Sequence, residues 1–230
     1  MNYFNEIFFK VFPYVSIIIF ILFSLKRYFG EPFSYSSLSS QFLENKLHFW
    51  ALVPFHFGII FILFGHLFAF LLPDYILAWN SNISRLYLLE VSAFIGGLFT
   101  LIGLVNIFIR RLTNSKAAIV TSKMDWIVLT LILIQVITGL LTAVLHSWGS
   151  SWFATSASPY IWSIFSFTPQ IDYVTSMPFN VKFHIIGTFV ILMLFPFTRL
   201  VHILVVPNPY LWRRPQMVRW NWNKRRRFIK

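Results

Sequence analysis

The chain has 230 residues, of which 57% are hydrophobic and 11% charged, with a formal net charge of +12 and no cysteine; its mean hydropathy is +0.70. This balance excludes a water-soluble surface, and at ~20 apolar residues per membrane crossing the length allows a handful of spans but no large soluble domain. The absence of cysteine excludes a thiolate-held iron–sulfur cluster, a covalently attached c-type haem and any disulfide.

Five apolar runs follow in chain order, at about residues 7–25, 48–72, 86–109, 124–146 and 183–206, each long enough to cross as a helix. The predicted fold is therefore all-α: one membrane domain over residues 1–230, with five transmembrane helices and a basic tail at 207–230. Lys10 lies near the start of the first run and Lys26-Arg27 closes it, with no small-residue cleavage site, so it reads as an uncleaved anchor. His56 and His66 lie in the second run, and His48 at its entry. Glu90 stands near one end of the third run and Arg110-Arg111 at the other, while the fourth has Asp125 near its start and His146 at its end. The one long connection, 147–182, is rich in Ser, Trp and Phe; Trp148, Trp152 and Trp162 suit the headgroup level, so this segment is expected to lie on the membrane. The fifth run carries His184 and His202.

An odd number of spans puts the termini on opposite sides. With the N-terminus outside, the inner segments hold Lys26, Arg27, Lys46, Arg110, Arg111, Lys116, Lys123 and every basic residue from Arg199 onward, leaving Lys10, Arg85 and Lys182 outside. Sixteen against three gives an N-outside, C-cytoplasmic orientation. Residues 212–230 interleave eight Lys/Arg with Trp212, Trp220, Trp222 and Phe228. Nucleic acid is the partner that such charge first brings to mind. Its concentration on the inner side argues against nucleic acid and leaves anionic lipid headgroups or a peripheral subunit as the tail's partner.

Ionisable side chains inside a span are costly and mark function. His48 and His146 sit at span ends, where an interfacial histidine is ordinary. The second and fifth spans run in opposite directions, so His66 and His184 come near the outer face and His56 and His202 near the inner one. Two bis-imidazole pairs at two depths are what two non-covalent b haems require: one neutral histidine on each side of each porphyrin, its second ring nitrogen held by a further partner. A proton relay or a transition-metal site in a haem-free transporter or scaffold is the alternative. It is weakened because the only carboxylates in the runs, Glu90 and Asp125, are close to span ends.

The two histidine spacings disagree on an ideal helix, His56 to His66 rising ~15 Å and His184 to His202 ~27 Å. The eighteen-residue step keeps His184 and His202 on one face, whereas ten residues turn His66 about 80° from His56, so the two haem planes are not expected to be parallel copies. Tilt, and kinks at Pro54 and Pro196, which leave the Trp50 and Leu192 carbonyls without their helical donors, are expected to reconcile the two. Gly58, Gly65 and Gly187 lie beside the histidines where a macrocycle needs clearance, although helix packing favours the same residues.

Phe55-His56-Phe57-Gly58-Ile59 and Gly65-His66-Leu67-Phe68, with Phe183-His184 and Leu194-Phe195-Pro196-Phe197-Thr198-Arg199-Leu200-Val201-His202, resemble the gamma (cytochrome b) subunit of membrane-bound respiratory nitrate reductase. Ser39-Ser40-Gln41, Gly139-Leu140-Leu141-Thr142, Pro207 and Tyr210-Leu211 extend the likeness over nearly the whole chain. The resemblance implies a multi-pass protein of the cytoplasmic (inner) membrane that oxidises quinol near the outer face. Electrons would pass through an outer haem on His66 and His184 and an inner haem on His56 and His202 to an iron–sulfur (beta) subunit, which feeds a molybdenum-containing catalytic (alpha) subunit. It also implies a basic residue near the quinol, for which Arg85 is the one available. Arg199, within a turn of His202, is a candidate partner for a haem propionate. A b-type subunit of another quinone-linked complex is the nearest rival reading, disfavoured by the span-five string and the short inner loops.

Overall fold

A computed structural model describes residues 3–30 and 46–204. Among them the chain is predominantly helical, with no strand, and five helices are long and apolar enough to cross a membrane. The first span is Tyr3–Gly30, the second Lys46–Leu71, the third Ile83–Thr113, the fourth Lys123–Leu145, and the fifth begins as Phe179–Leu194. Between 6% and 28% of each span's apolar window is buried inside the bundle, so most of its surface calls for lipid as its solvent. The basic tail lies outside the described residues.

Local chemistry sets the span ends. Asn82 caps the third span by accepting from Ser84 N–H at 2.9 Å. Ser122 and Asp125 form a reciprocal capping box at the start of the fourth. The second and third spans approach closely along Gly96, Thr100 and Gly103, a small-residue seam. A Cβ on Gly58 would lie 2.7 Å from the Thr100 backbone nitrogen, and one on Gly103 would fall on the backbone of Phe55. Pro54 sits inside a helix that continues through it, and the Trp50 carbonyl it deprives of a donor is met by Asn106 Nδ2 at 3.4 Å.

The fifth span departs most from expectation. Instead of one helix over 183–206, the α-helix ends at Leu194, a single 3-10 turn follows at Phe195–Phe197, Thr198 is extended (φ −118°, ψ 176°), and a second 3-10 segment runs from Arg199 to Ile203. Pro196 is the cause: it has no N–H to donate, and the Leu192 carbonyl is taken instead by the Phe195 N–H, tightening the last turn. His184 and His202 are therefore not five ideal turns apart on one face.

The segment 147–182 is a packed cap, more than the surface-lying stretch its composition predicts. Short helices at Gly149–Trp152, Ser158–Phe165 and Asp172–Thr175, with a π-helical turn at Phe153–Ala157, close over one end of the bundle. Tyr160, fully buried, donates to the Phe9 carbonyl at 2.9 Å, and Trp162 and Ser158 both donate to the Phe70 carbonyl at 3.0 Å. Phe9, Tyr160, Ile164, Val174 and Phe189 form the core under this cap. The opposite end gathers Arg27, Arg111, Asp125 and Arg199.

Candidate functional site

Close-packed neighbours run second, third, fourth, fifth, first. Among the described residues, the second and fifth spans do not pack along their lengths; they meet through the rings of His66 and His184, whose centroids stand 6.5 Å apart at an interplanar angle of 36°. Two metal–imidazole bonds of ~2 Å, plus ~1.1 Å from each nitrogen to its ring centre, give ~6.2 Å between the rings of two axial ligands. The observed separation leaves room for one metal ion, which His66 and His184 would hold between them. Phe153 of the cap packs edge-on against His66, centroids 5.5 Å apart.

Ring hydrogen bonding then fixes which nitrogen is free. His56 Nδ1 lies 2.8 Å from the Leu52 carbonyl, His66 Nδ1 2.9 Å from the Ile62 carbonyl and His202 Nδ1 2.6 Å from the Arg199 carbonyl. A carbonyl only accepts, so each Nδ1 carries the proton and each Nε2 keeps a lone pair. His184 Nδ1 is 3.0 Å from Thr138 Oγ1. The Thr138 hydroxyl spends its one proton on the Gln135 carbonyl at 3.0 Å, so it accepts from Nδ1–H and leaves the same free Nε2. All four histidines thus keep Nε2 as the lone-pair nitrogen, the tautomer that a metal-bound histidine would need. His146 is the contrast: its Nε2 is engaged by Asn180 Oδ1 at 2.9 Å, in keeping with an ordinary interfacial role.

Thr138 and Gln135 are site residues that the sequence reading passed over. Gln135 Nε2 donates to the His184 carbonyl and to Thr188 Oγ1, both at 2.8 Å. Farther along the same helix, Thr142 accepts from Asn180 at 3.2 Å. Gln135, Thr138, Thr142 and His146 recur at helical spacing, a polar seam facing the fifth span, and that spacing was the available signal.

The remaining sequence candidates separate by what their neighbours are. Gly58 is closed by Thr100 and Gly96, and Gly187 by the Gln135 side chain, so helix packing accounts for both; Gly65 has no atom within 4 Å of where its Cβ would stand. The partners of Arg199 are not those expected of a propionate ligand, since its guanidinium bonds Asp125 Oδ2 at 3.0 Å and the Val120 carbonyl at 2.7 Å. Arg85 is exposed at the start of the third span, its guanidinium 5.6 Å from the Trp79 ring centre, and Trp79 Nε1 donates to its carbonyl at 2.9 Å. His202 lies at the basic end, three residues after the Arg199 bound to Asp125, while His56 follows Phe55, which packs on the Ala51, Leu104, Ile107 and Leu129 cluster. No three His, Asp or Glu side chains converge among the described residues. A haem iron needs only two axial ligands from the protein.

Fold and site together define a five-helix membrane protein with His56 and His66 in its second span, His184 in its fifth and His202 in the 3-10 segment beyond it. Comparison with known proteins carries this further. Residues 5–221 match the family model described as nitrate reductase gamma subunit. The chain is 33% identical over 225 residues to the respiratory nitrate reductase 2 gamma chain of Escherichia coli K12, covering 95% of this chain and 98% of that one. It is 29% identical over 212 residues to the nitrate reductase gamma chain of Bacillus subtilis 168, covering 91% and 95% respectively. A nitrate reductase-like protein, NarX, of Mycobacterium tuberculosis shares 29% identity over 217 residues, 91% of this chain but 33% of that longer protein. The chain belongs to the nitrate reductase gamma subunit family, the membrane-embedded class of chain in an oxidoreductase complex.

Proposed function

We propose that this chain is the di-haem cytochrome b subunit of a respiratory nitrate reductase, oxidising quinol at the outer face of the cytoplasmic membrane and delivering electrons to the inner face. The observation that carries the reading is the common state of His56, His66, His184 and His202, each with Nδ1 engaged and Nε2 free, together with the 6.5 Å approach of the His66 and His184 rings. His66 and His184 would hold the outer haem and His56 and His202 the inner one; when bound, the two groups supply one-electron carriage across the bilayer.

The chain's own part is placement. Thr138 and the Ile62, Leu52 and Arg199 carbonyls hold the imidazoles in the ligand tautomer, and the open flank at Gly65 supports a flat macrocycle beside the outer pair. The Lys/Arg distribution supports an N-outside, C-cytoplasmic orientation, which puts the cap and Arg85 on the outer side. Arg85, its cation laid over Trp79, is the basic side chain we assign to quinol. Two protons from each quinol leave on that side while only electrons go inward, so charge separation needs no proton channel. The acceptors are an iron–sulfur subunit and, beyond it, a molybdenum-containing catalytic subunit, in line with the gamma-chain names of the relatives.

The test is optical. Membranes containing the assembled complex receive a short-chain quinol without oxygen, then nitrate. The proposal requires b-haem bands that quinol reduces and nitrate reoxidises, and loss of quinol-driven reduction in His66→Ala. Bands indifferent to both reagents contradict it.

A further inference from the structure

His202 sits on the least self-sufficient piece of the bundle. The helix has ended at Leu194, Thr198 is extended, and the five-residue 3-10 segment that follows has weaker internal hydrogen bonding than an α-helix. Its direction must therefore be set from outside. Two side chains from other spans grip it, one on each side of the break. Arg27, at the end of the first span, donates through Nη1 to the Pro196 carbonyl at 2.6 Å and the Thr198 carbonyl at 3.0 Å, filling acceptors that a helix end leaves open. Asp125, in the first turn of the fourth span and 7% exposed, bonds Arg199 at 3.0 Å. Asp125 is itself fixed by the Ser122 N–H at 2.8 Å and flanked by Arg111 at 4.0 Å, while Arg199 reaches on to the Val120 carbonyl at 2.7 Å. Arg199 is thus held by its side chain, and its carbonyl in turn holds His202 Nδ1 at 2.6 Å. Thr198 and Val201, either side of Arg199, are buried, so the segment is packed as well as tied.

The geometry points to Arg27 and Asp125 as positioning residues for His202: a clamp made by the first and fourth spans that aims the inner haem ligand where the helix carrying it has stopped. This rests on the di-haem reading above. It predicts an asymmetry that ordinary helix capping does not, because the His66–His184 pair is held by a separate set of contacts, through Ile62, Thr138 and Gln135.

The experiment uses the assembled complex with Asp125→Asn, which keeps an acceptor for the Ser122 N–H but removes the charge facing Arg199, and with Arg27→Met. The readouts are haem per chain, the low-spin ferric EPR signal of each haem and both midpoint potentials. In each variant the inner haem should be retained about 10–100-fold more weakly, or show a shifted EPR signal and potential, with the outer haem unchanged. Arg27→Lys, which offers a point charge in place of a fork, should restore part of the effect. Two haems with unaltered signals in both variants overturn the clamp alone. Equal damage to both haems overturns it too, since the contacts would then serve the whole bundle. Wild-type complex without haem removes the di-haem reading and the clamp together.

Discussion

Replacing Thr138 with valine removes one hydroxyl and almost no volume. Thr138 is 9% exposed, accepts from His184 Nδ1 at 3.0 Å and donates to the Gln135 carbonyl at 3.0 Å. In Thr138→Val the His184 Nδ1–H loses its acceptor inside the seam, and neither ring tautomer is any longer preferred. Loss of such an outer partner typically weakens metal binding by about 10–100-fold, or ~1.4–2.8 kcal/mol. The lost bond also makes His184 a less basic ligand, which disfavours the oxidised iron, so the outer haem's potential should rise. Each tenfold change in relative affinity for the two oxidation states corresponds to about 59 mV. The assay is haem content and redox titration of the purified complex beside Thr138→Ser, which keeps the hydroxyl and should resemble wild type. Gln135 still holds the His184 carbonyl at 2.8 Å, so the helix itself should stay in place. An unchanged outer haem, or a loss that falls on the inner haem, would refute the role given to Thr138.

Other outcomes follow from the same contacts. Gly103→Ala puts a Cβ onto the Phe55 backbone and should destabilise the second–third span packing by ~1–3 kcal/mol in reversible denaturation from detergent. Gly65→Ala meets no atom within 4 Å, so it should change bundle stability by no more than about 0.5 kcal/mol while lowering outer-haem retention. Burial raises the Tyr160 phenol above its ordinary value, so its bond to the Phe9 carbonyl persists at neutral pH. Because the folded-state pKa is the higher one, that contribution is complete below ~10 and is lost only as pH climbs beyond it, whereas Tyr160→Phe should lack this alkaline decline in thermal stability. Moving an electron inward against an inside-negative potential costs up to ~2.3 kcal/mol per 100 mV, so the inner haem should have the higher midpoint potential. Titration of His66→Ala and His56→Ala assigns the two haems, and a higher outer potential would reverse that order.

What the sequence conveyed, and what it did not, divides along physical lines. The five spans were legible because lipid demands long apolar runs, and the common depth of His66 and His184 followed from antiparallel crossing. Gly58 and Gly187 were ambiguous because clearance for a cofactor and closeness between helices ask for the same small residue; only neighbouring atoms show how closely the helices pack there. Pro196 announced a disturbance, yet whether a proline kinks a helix or ends it depends on what meets the freed carbonyls. At Pro54 the freed Trp50 carbonyl is met by Asn106 and the helix continues, whereas at Pro196 the freed Leu192 carbonyl is taken by the Phe195 N–H and the helix stops. The cap over 147–182 was illegible because its order comes from pairings such as Tyr160 with Phe9, far apart in the chain and carried on helices too short for a periodic signal.

The central claim is that four histidines hold two haems, and it reduces to a count. A pyridine haemochrome determination on the purified complex, set against chain concentration, should give two b haems per chain, falling to one when either His66 or His56 is replaced by alanine. A wild-type chain that carries no haem would contradict the account.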